Sequence, residues 1–281
     1  MSILSIKIIA ALAILGVGIV GGLIPLLAAR RQAGRRYLSL GNALAGGIFL
    51  GAGFIHLLPE AAEALEEVAE YPLAALLAAL GVGVLLLIDR VVFESSRAQG
   101  SEQAGGAGQP IYPIVLLVVL SIHSVIAGIA LGLEPEVAAS VLVMVGILFH
   151  KGSAAFALMV SAHSSGADKA RLRLILTVFV LMTPLGILLG TVAANMLEGP
   201  AASLIEGSFN ALAAGTFIYV AILDVIDAEM SRFDDRLARF VSSALKGEDD
   251  VAMPVRDTDR ILKFLLVLAG LGSMAILGIW M

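Results

Sequence analysis

The chain has no cysteine, which excludes disulfides, thiolate metal sites and cysteine nucleophiles. Charge is also scarce. Asp, Glu, Lys and Arg make up 15% of the 281 residues, against about a quarter in soluble domains. There are four histidines in all, and no His-Glu-x-x-His run, the helical signature of many zinc hydrolases. No polar stretch is large enough to fold as a separate catalytic domain, and no nucleic-acid partner is expected.

What remains is apolar. Hydrophobic residues make up 59% of the chain, and its mean hydropathy is +0.98. A water-soluble fold of this size could not hide so much apolar surface, whereas a bilayer accepts it. Backbone groups inside a bilayer must be satisfied internally, which leaves helices or a closed barrel. The apolar runs are long and lack the period-2 alternation of barrel strands, so an all-α membrane protein is expected. Eight spans are read at about 3–29, 38–60, 72–94, 111–133, 137–162, 172–197, 201–227 and 261–280. They form a single transmembrane domain over 1–281, with a Gly/Ser/Gln-rich linker at about 95–110 and a charged cytoplasmic segment at about 228–260. An amphipathic helix is expected around Arg232–Leu245. The first run lacks an obvious cleavage site and reads as an uncleaved span.

Orientation follows from the basic residues. Arg30, Arg31, Arg35 and Arg36 lie between the first two spans, Arg90 and Arg97 flank the 3–4 connection, and Lys169, Arg171 and Arg173 lie in the 5–6 connection. Seven more surround the 7–8 connection, whereas the 2–3, 4–5 and 6–7 connections contain no Lys or Arg. The positive-inside rule makes the basic connections cytoplasmic and puts both termini outside. Gly47 and Gly51, Gly128 and Gly132, and Gly186 and Gly190 are each four apart, a spacing that lets helix backbones approach closely.

Ionisable groups inside a membrane are costly and point to function. His123 and His150 fall near the midplane of adjacent antiparallel spans, within reach of each other. A neutral imidazole pair suits zinc or a similar divalent cation. Ser124 adds an oxygen beside His123. Lys151, after His150, must find water or an acid, and its charge argues against a second metal nearby. His56 and Glu60 share one face at the outer end of the second span. Pro59 between them frees the Ile55 carbonyl as a further oxygen. Asp89 lies near the inner end of span 3, and Asp224 and Asp227 near the inner end of span 7. These acids either pair with nearby arginines or mark a cation exit. Potential ligands thus occur at outer, middle and inner levels, as a cation route requires. His163 is read as surface.

The same residues resemble the ZIP (Zrt/Irt-like) family of metal transporters over most of the chain. The matching segments are GGIFLGAGFIHLLPEA (46–61), HSVIAGIALGLE (123–134), HKG (150–152), TPLGILLG (183–190) and AGTFIYVAILDVI (214–226). The resemblance implies import of zinc, with iron, manganese or cadmium as further substrates, into the cytoplasm across the plasma membrane (the inner membrane in a bacterium). It also implies a homodimer, no prosthetic group, and an elevator-like movement of one helix group against another. Carried over, His123 and His150 match midplane ligands, Ser124 and Lys151 second-site positions, and His56, Glu60 and Asp224 entrance or exit positions. The departures lie at the centre. Many members have Glu four residues after each central histidine, where this chain has Ala127 and Ala154, and Thr183 stands where Glu can occur. Two alternatives follow: a transport-incompetent relative acting as sensor or scaffold, motivated by the missing acids, and an intramembrane metal-dependent hydrolase.

Overall fold

In a computed structural model of the chain, residues 2–28, 34–66, 70–92, 111–193, 200–231, 237, 241 and 258–279 are described. The expected linker at 95–110 and most of the helix around Arg232–Leu245 lie outside them.

Long runs of Leu, Ile, Val and Ala give eight helical rods among the described residues, and no strand. They are α1 (Ile3–Ala28), α2 (34–66), α3 (73–92), α4 (Ile111–Leu133), α5 (Val137–Ser164), α6 (Lys169–Ala193), α7 (200–230) and α8 (Arg260–Leu277). Seven contain segments long and apolar enough to cross a membrane. The exception is α3, whose apolar α-helix Leu73–Leu86 is shorter. It gains length through a wide turn, Leu87–Val92. Helix α2 overruns the expected 38–60 at both ends; past its C-terminal limit Ala61 and Leu65 still find buried positions. Large apolar side chains such as Leu12, Leu188 and Ile261 are exposed on the outside of the bundle, as lipid contact requires.

Three rods are locally unwound into π-helical turns: Ala52–Leu57 in α2, Leu87–Val92 in α3 and Val220–Ile226 in α7. The Leu58 N–H donates to the Gly53 carbonyl, five residues back. The Asp227 N–H does the same to Ile222. In α2 the cause is legible. Pro59 follows directly and has no N–H for the ordinary bond to Ile55. The turns in α3 and α7 contain no proline.

The rods sort into two sets by packing. Helix α4 packs most extensively on α6, and α1 on α5, with α1 also against α6. In the other set α2 packs on α8 and α7, and α3 on α7. Between the sets α2 meets α5, and α4 meets α7. Glycine permits a close seam between α4 and α6. A Cβ on Gly128 would stand 2.9 Å from the Cα of Gly186, and one on Gly132 would stand 2.9 Å from the Cα of Gly190. The two paired-glycine faces of α4 and α6 therefore meet backbone to backbone.

At one end of the second set, Glu229 on α7 accepts hydrogen bonds from Ser39 and, at 3.1 Å, Asn42 of α2. Lys263 of α8 lies 3.2 Å from its carboxylate. Beside them Arg36 forms two hydrogen bonds with Asp259, at 2.7 and 2.9 Å.

Candidate metal site

His123 projects from the middle of α4 and His150 from the middle of α5. Their Nε2 atoms are 3.5 Å apart, and each residue is 4% exposed. Two imidazole nitrogens bound to one tetrahedral zinc at about 2.0–2.1 Å would stand about 3.4 Å apart. The pair is thus already spaced to share such an ion. The Nδ1 atom of His123 has no hydrogen-bond partner among the described residues, whereas the His150 ring has the Gly146 carbonyl, one turn back, as a backbone partner.

One small cavity joins the pair to its surroundings. Its lining includes Ser124, Ala127, Lys151, Ala154, Thr183 and Phe217, and it has room for about one water-sized occupant. Ala127 and Ala154 both line this space and add no oxygen to it. Thr183 on α6 is fully buried, and its hydroxyl has no partner among the described residues. It supplies a hard oxygen without charge.

Lys151 was expected to reach water or an acid, and among the described residues no acid is its partner. Its ammonium donates to Ser124 Oγ at 2.9 Å and to the Phe179 carbonyl at 3.1 Å. It also sits 3.6 Å from the centroid of the Phe179 ring. A π-face and two oxygens are a partial substitute for hydration, and they let the residue stay 2% exposed.

His56 is closer to the centre than an outer-end position suggests. Its ring centroid is 6.0 Å from that of His150. Its Nδ1 lies 3.9 Å from the carboxylate of Glu60, whose side chain is 43% exposed against 14% for His56. Exposure therefore falls stepwise from Glu60 through His56 to His150. Asp89 and Asp224 both fall in π turns, but their side chains lie outside the described residues. Asp227 opens the short α-helical end of α7, just after the turn that holds Asp224. Among the described residues, no group of three His, Cys, Asp or Glu is gathered closely enough to hold one ion.

Phe217 was not anticipated as part of the site. This buried ring on α7 stands edge-on to His123, with centroids 4.9 Å apart, and to His150 at 6.2 Å. Phe49 of α2 supports it from behind at 5.2 Å. Both phenylalanines belong to the second helix set, while the two central histidines belong to the first. The site lies on the boundary between the sets.

Comparison with known proteins places the chain in a family. The profile described as ZIP zinc transporter matches residues 4–105 and 93–278. The chain belongs to the ZIP family. It is 28% identical over 282 residues to zinc transporter ZIP1 of Mus musculus, covering 85% of this chain and 87% of that protein. Against zinc transporter ZIP2 of Homo sapiens it is 28% identical over 289 residues, covering 85% and 94%. Zinc transporter ZIP2 of Mus musculus is 27% identical over 250 residues, covering 73% and 81%. This ZIP chain is therefore a member of a transporter family rather than an enzyme family, which removes the hydrolase alternative. Its central cavity combines two imidazoles, two hydroxyls and an ammonium.

Proposed function

We propose that this chain carries divalent metal ions, zinc foremost, through the membrane into the cytoplasm by way of the His123–His150 pair. The observation that carries the reading is the 3.5 Å Nε2–Nε2 spacing of two buried imidazoles on adjacent spans. Neutral imidazole is a preferred zinc ligand, and a two-nitrogen site binds weakly enough to release its ion. Glu60 and His56 form the outer approach. Asp224 and Asp227, with Asp89, form the inner exit. Ser124 and Thr183 offer neutral oxygens at the centre.

The movement we propose is an elevator. The set α1, α4, α5 and α6 carries the pair as one body past α2, α3, α7 and α8. The glycine seam between α4 and α6 supports a rigid carrier. The Glu229 cluster, which ties α2, α7 and α8 together, supports a rigid counterpart. Both termini outside, residence in the plasma or bacterial inner membrane, and a homodimer complete the reading. The basic connections support that orientation.

Zinc uptake into proteoliposomes tests the proposal. The double variant His123→Ala/His150→Ala is expected to lose at least about nine-tenths of the parent's uptake. Parent-like uptake of zinc, iron and manganese by that variant would show that the assigned site is wrong. A second reading, metal binding without flux in a sensor or scaffold, draws on the buried ammonium of Lys151 beside the pair. Saturable zinc binding with no uptake by the parent would favour it.

A further inference from the structure

We infer that Phe217, backed by Phe49, is the inner gate of the ion path, and that in this conformation the central histidines are open toward the outer side and shut off from the cytoplasm. This gate rests on the metal-transport reading above, which supplies its inner and outer sides.

Among the described residues, the two helix sets share a core on one side of the histidines only. The main apolar cluster draws on both sets. Its α4 members, Leu116 and Leu120, precede His123, and its α5 members, which run from Ala154 to Ala162, follow His150. Helices α4 and α5 are antiparallel, so both groups lie on the same, inner side of the pair. On the outer side each set packs by itself. Leu131 of α4 and Ile147 of α5 join a cluster made only of first-set residues. Ala61, Leu65, Ala74 and Ala211 form another, made only of second-set residues. Burial follows the same division. Toward the outer side Ala127, Val143 and Met144 are half-buried. Toward the inner side Leu116, Leu120, Ala154 and Leu158 are at most 4% exposed. A bundle fused along one half and parted along the other gives access from the parted half.

Phe217 stands where the fused half begins. Its ring meets His123 edge-on. With Phe49, Val119, Leu120, Thr216 and Val220 it also encloses a second space, which has no room for a water. The one polar side chain there, Thr216, donates its hydroxyl at 2.7 Å to the Ala213 carbonyl of its own helix. A cation passing inward would shed its water among carbon atoms that offer no ligand in exchange, a heavy penalty inside a membrane. Phe49 and Phe217 belong to the second set, and Val119 and Leu120 to the first. Sliding of one set against the other therefore parts the seal without unfolding either.

The chain has no cysteine, so a single introduced thiol reports access. Ala127→Cys places one on the lining of the central cavity. The probe is the silver ion, small enough to enter by the ion path, added in chloride-free buffer to right-side-out or inside-out membrane vesicles. Thiol left free is then counted with a maleimide after denaturation. Silver is expected to block Ala127→Cys at least about tenfold faster from the outer side than from the cytoplasmic side. Adding Phe217→Ala is expected to speed the block from the cytoplasmic side at least about fivefold and to leave the outer rate within about twofold. Phe217→Leu restores an apolar plug and is expected to recover most of the asymmetry. Phe49→Ala removes the support of the ring and is expected to act like Phe217→Ala, which keeps the test decisive if Phe217→Ala does not reach the membrane. Equal rates from the two sides without a gate substitution, a faster rate from the cytoplasm, or no block from either side overturns the outward-open conformation. Asymmetry that survives both alanine variants overturns the gate, as does a rise on both sides, which marks a bundle loosened throughout. Zinc uptake by the parent judges transport separately. Asymmetric block without uptake overturns the transport reading and leaves the gate, and uptake without asymmetric block does the reverse.

Discussion

Ser124 and Lys151 repeat, one residue along both helices, the contact that His123 makes with His150. The Lys151 Nζ to Ser124 Oγ hydrogen bond spans 2.9 Å, and the two imidazole nitrogens span 3.5 Å. Helices α4 and α5 are thus joined at the centre by one candidate metal-binding contact and one charged contact.

Removing the charge should not weaken the fold. Lys151→Met keeps most of the volume and removes a buried ammonium, a change that is often neutral or stabilising. Its unfolding temperature in detergent is expected to equal or exceed the parent's. Lys151→Ala leaves a cavity and is expected to cost about 2–4 kcal/mol. A lower unfolding temperature for Lys151→Met than for the parent would mean that the ammonium itself holds α5 to α4.

Restoring an acid should strengthen metal binding. Ala127 faces the cavity that His123 and His150 share, so Ala127→Glu places a carboxylate beside the pair. Zinc affinity, measured by competition with a chromophoric chelator, is expected to rise at least about tenfold, or about 1.4 kcal/mol. Unchanged affinity would place the bound ion elsewhere.

The glycine seam should tolerate no side chain. A methyl group on Gly186 would meet the Gly128 Cα at 2.9 Å and the Val125 carbonyl oxygen closer still. Gly186→Ala is expected to destabilise by about 1–3 kcal/mol, the usual cost of overpacking. Gly16 has open space around it, so Gly16→Ala should leave the unfolding temperature within a degree or two. Equal behaviour of the two variants would show that α4 and α6 are not in backbone contact.

The Glu229 cluster should behave as a coupled unit. Glu229→Gln removes the carboxylate that lies 3.2 Å from the largely buried Lys263 ammonium and is expected to cost about 1–3 kcal/mol. Adding Lys263→Met should recover much of that loss. Additive losses in the double variant would show that the two side chains do not interact.

Much of this was legible in the sequence because membrane depth can be counted. Twelve or so residues from a span's end is the midplane at a fixed rise per residue, which picked out His123 and His150. Composition put the chain in a membrane, and the lack of period-2 alternation separated helices from a barrel. Contacts between non-adjacent helices could not be counted in that way. Phe217 is an ordinary apolar residue in an apolar run, and its role depends on α7 lying against α4. The destination of Lys151 was hidden likewise, since Phe179 lies on α6, a different rod. His56 was assigned to the outer end by straight-helix arithmetic, which has no allowance for the π turn that contains it.

That wide turn has counterparts around Asp89 and Asp224. An α-helix advances about 100° per residue, so one residue inserted into a rod re-aims everything beyond it by nearly a third of a circle. Three of the eight described rods carry such an insertion, each at a candidate ion-handling side chain. Deleting a single residue from one of these turns would leave composition and hydropathy almost untouched while swinging the far end of that rod out of phase with its neighbours. In this chain, the phase of a helix is as much a part of the proposed ion path as the identity of its candidate ligands.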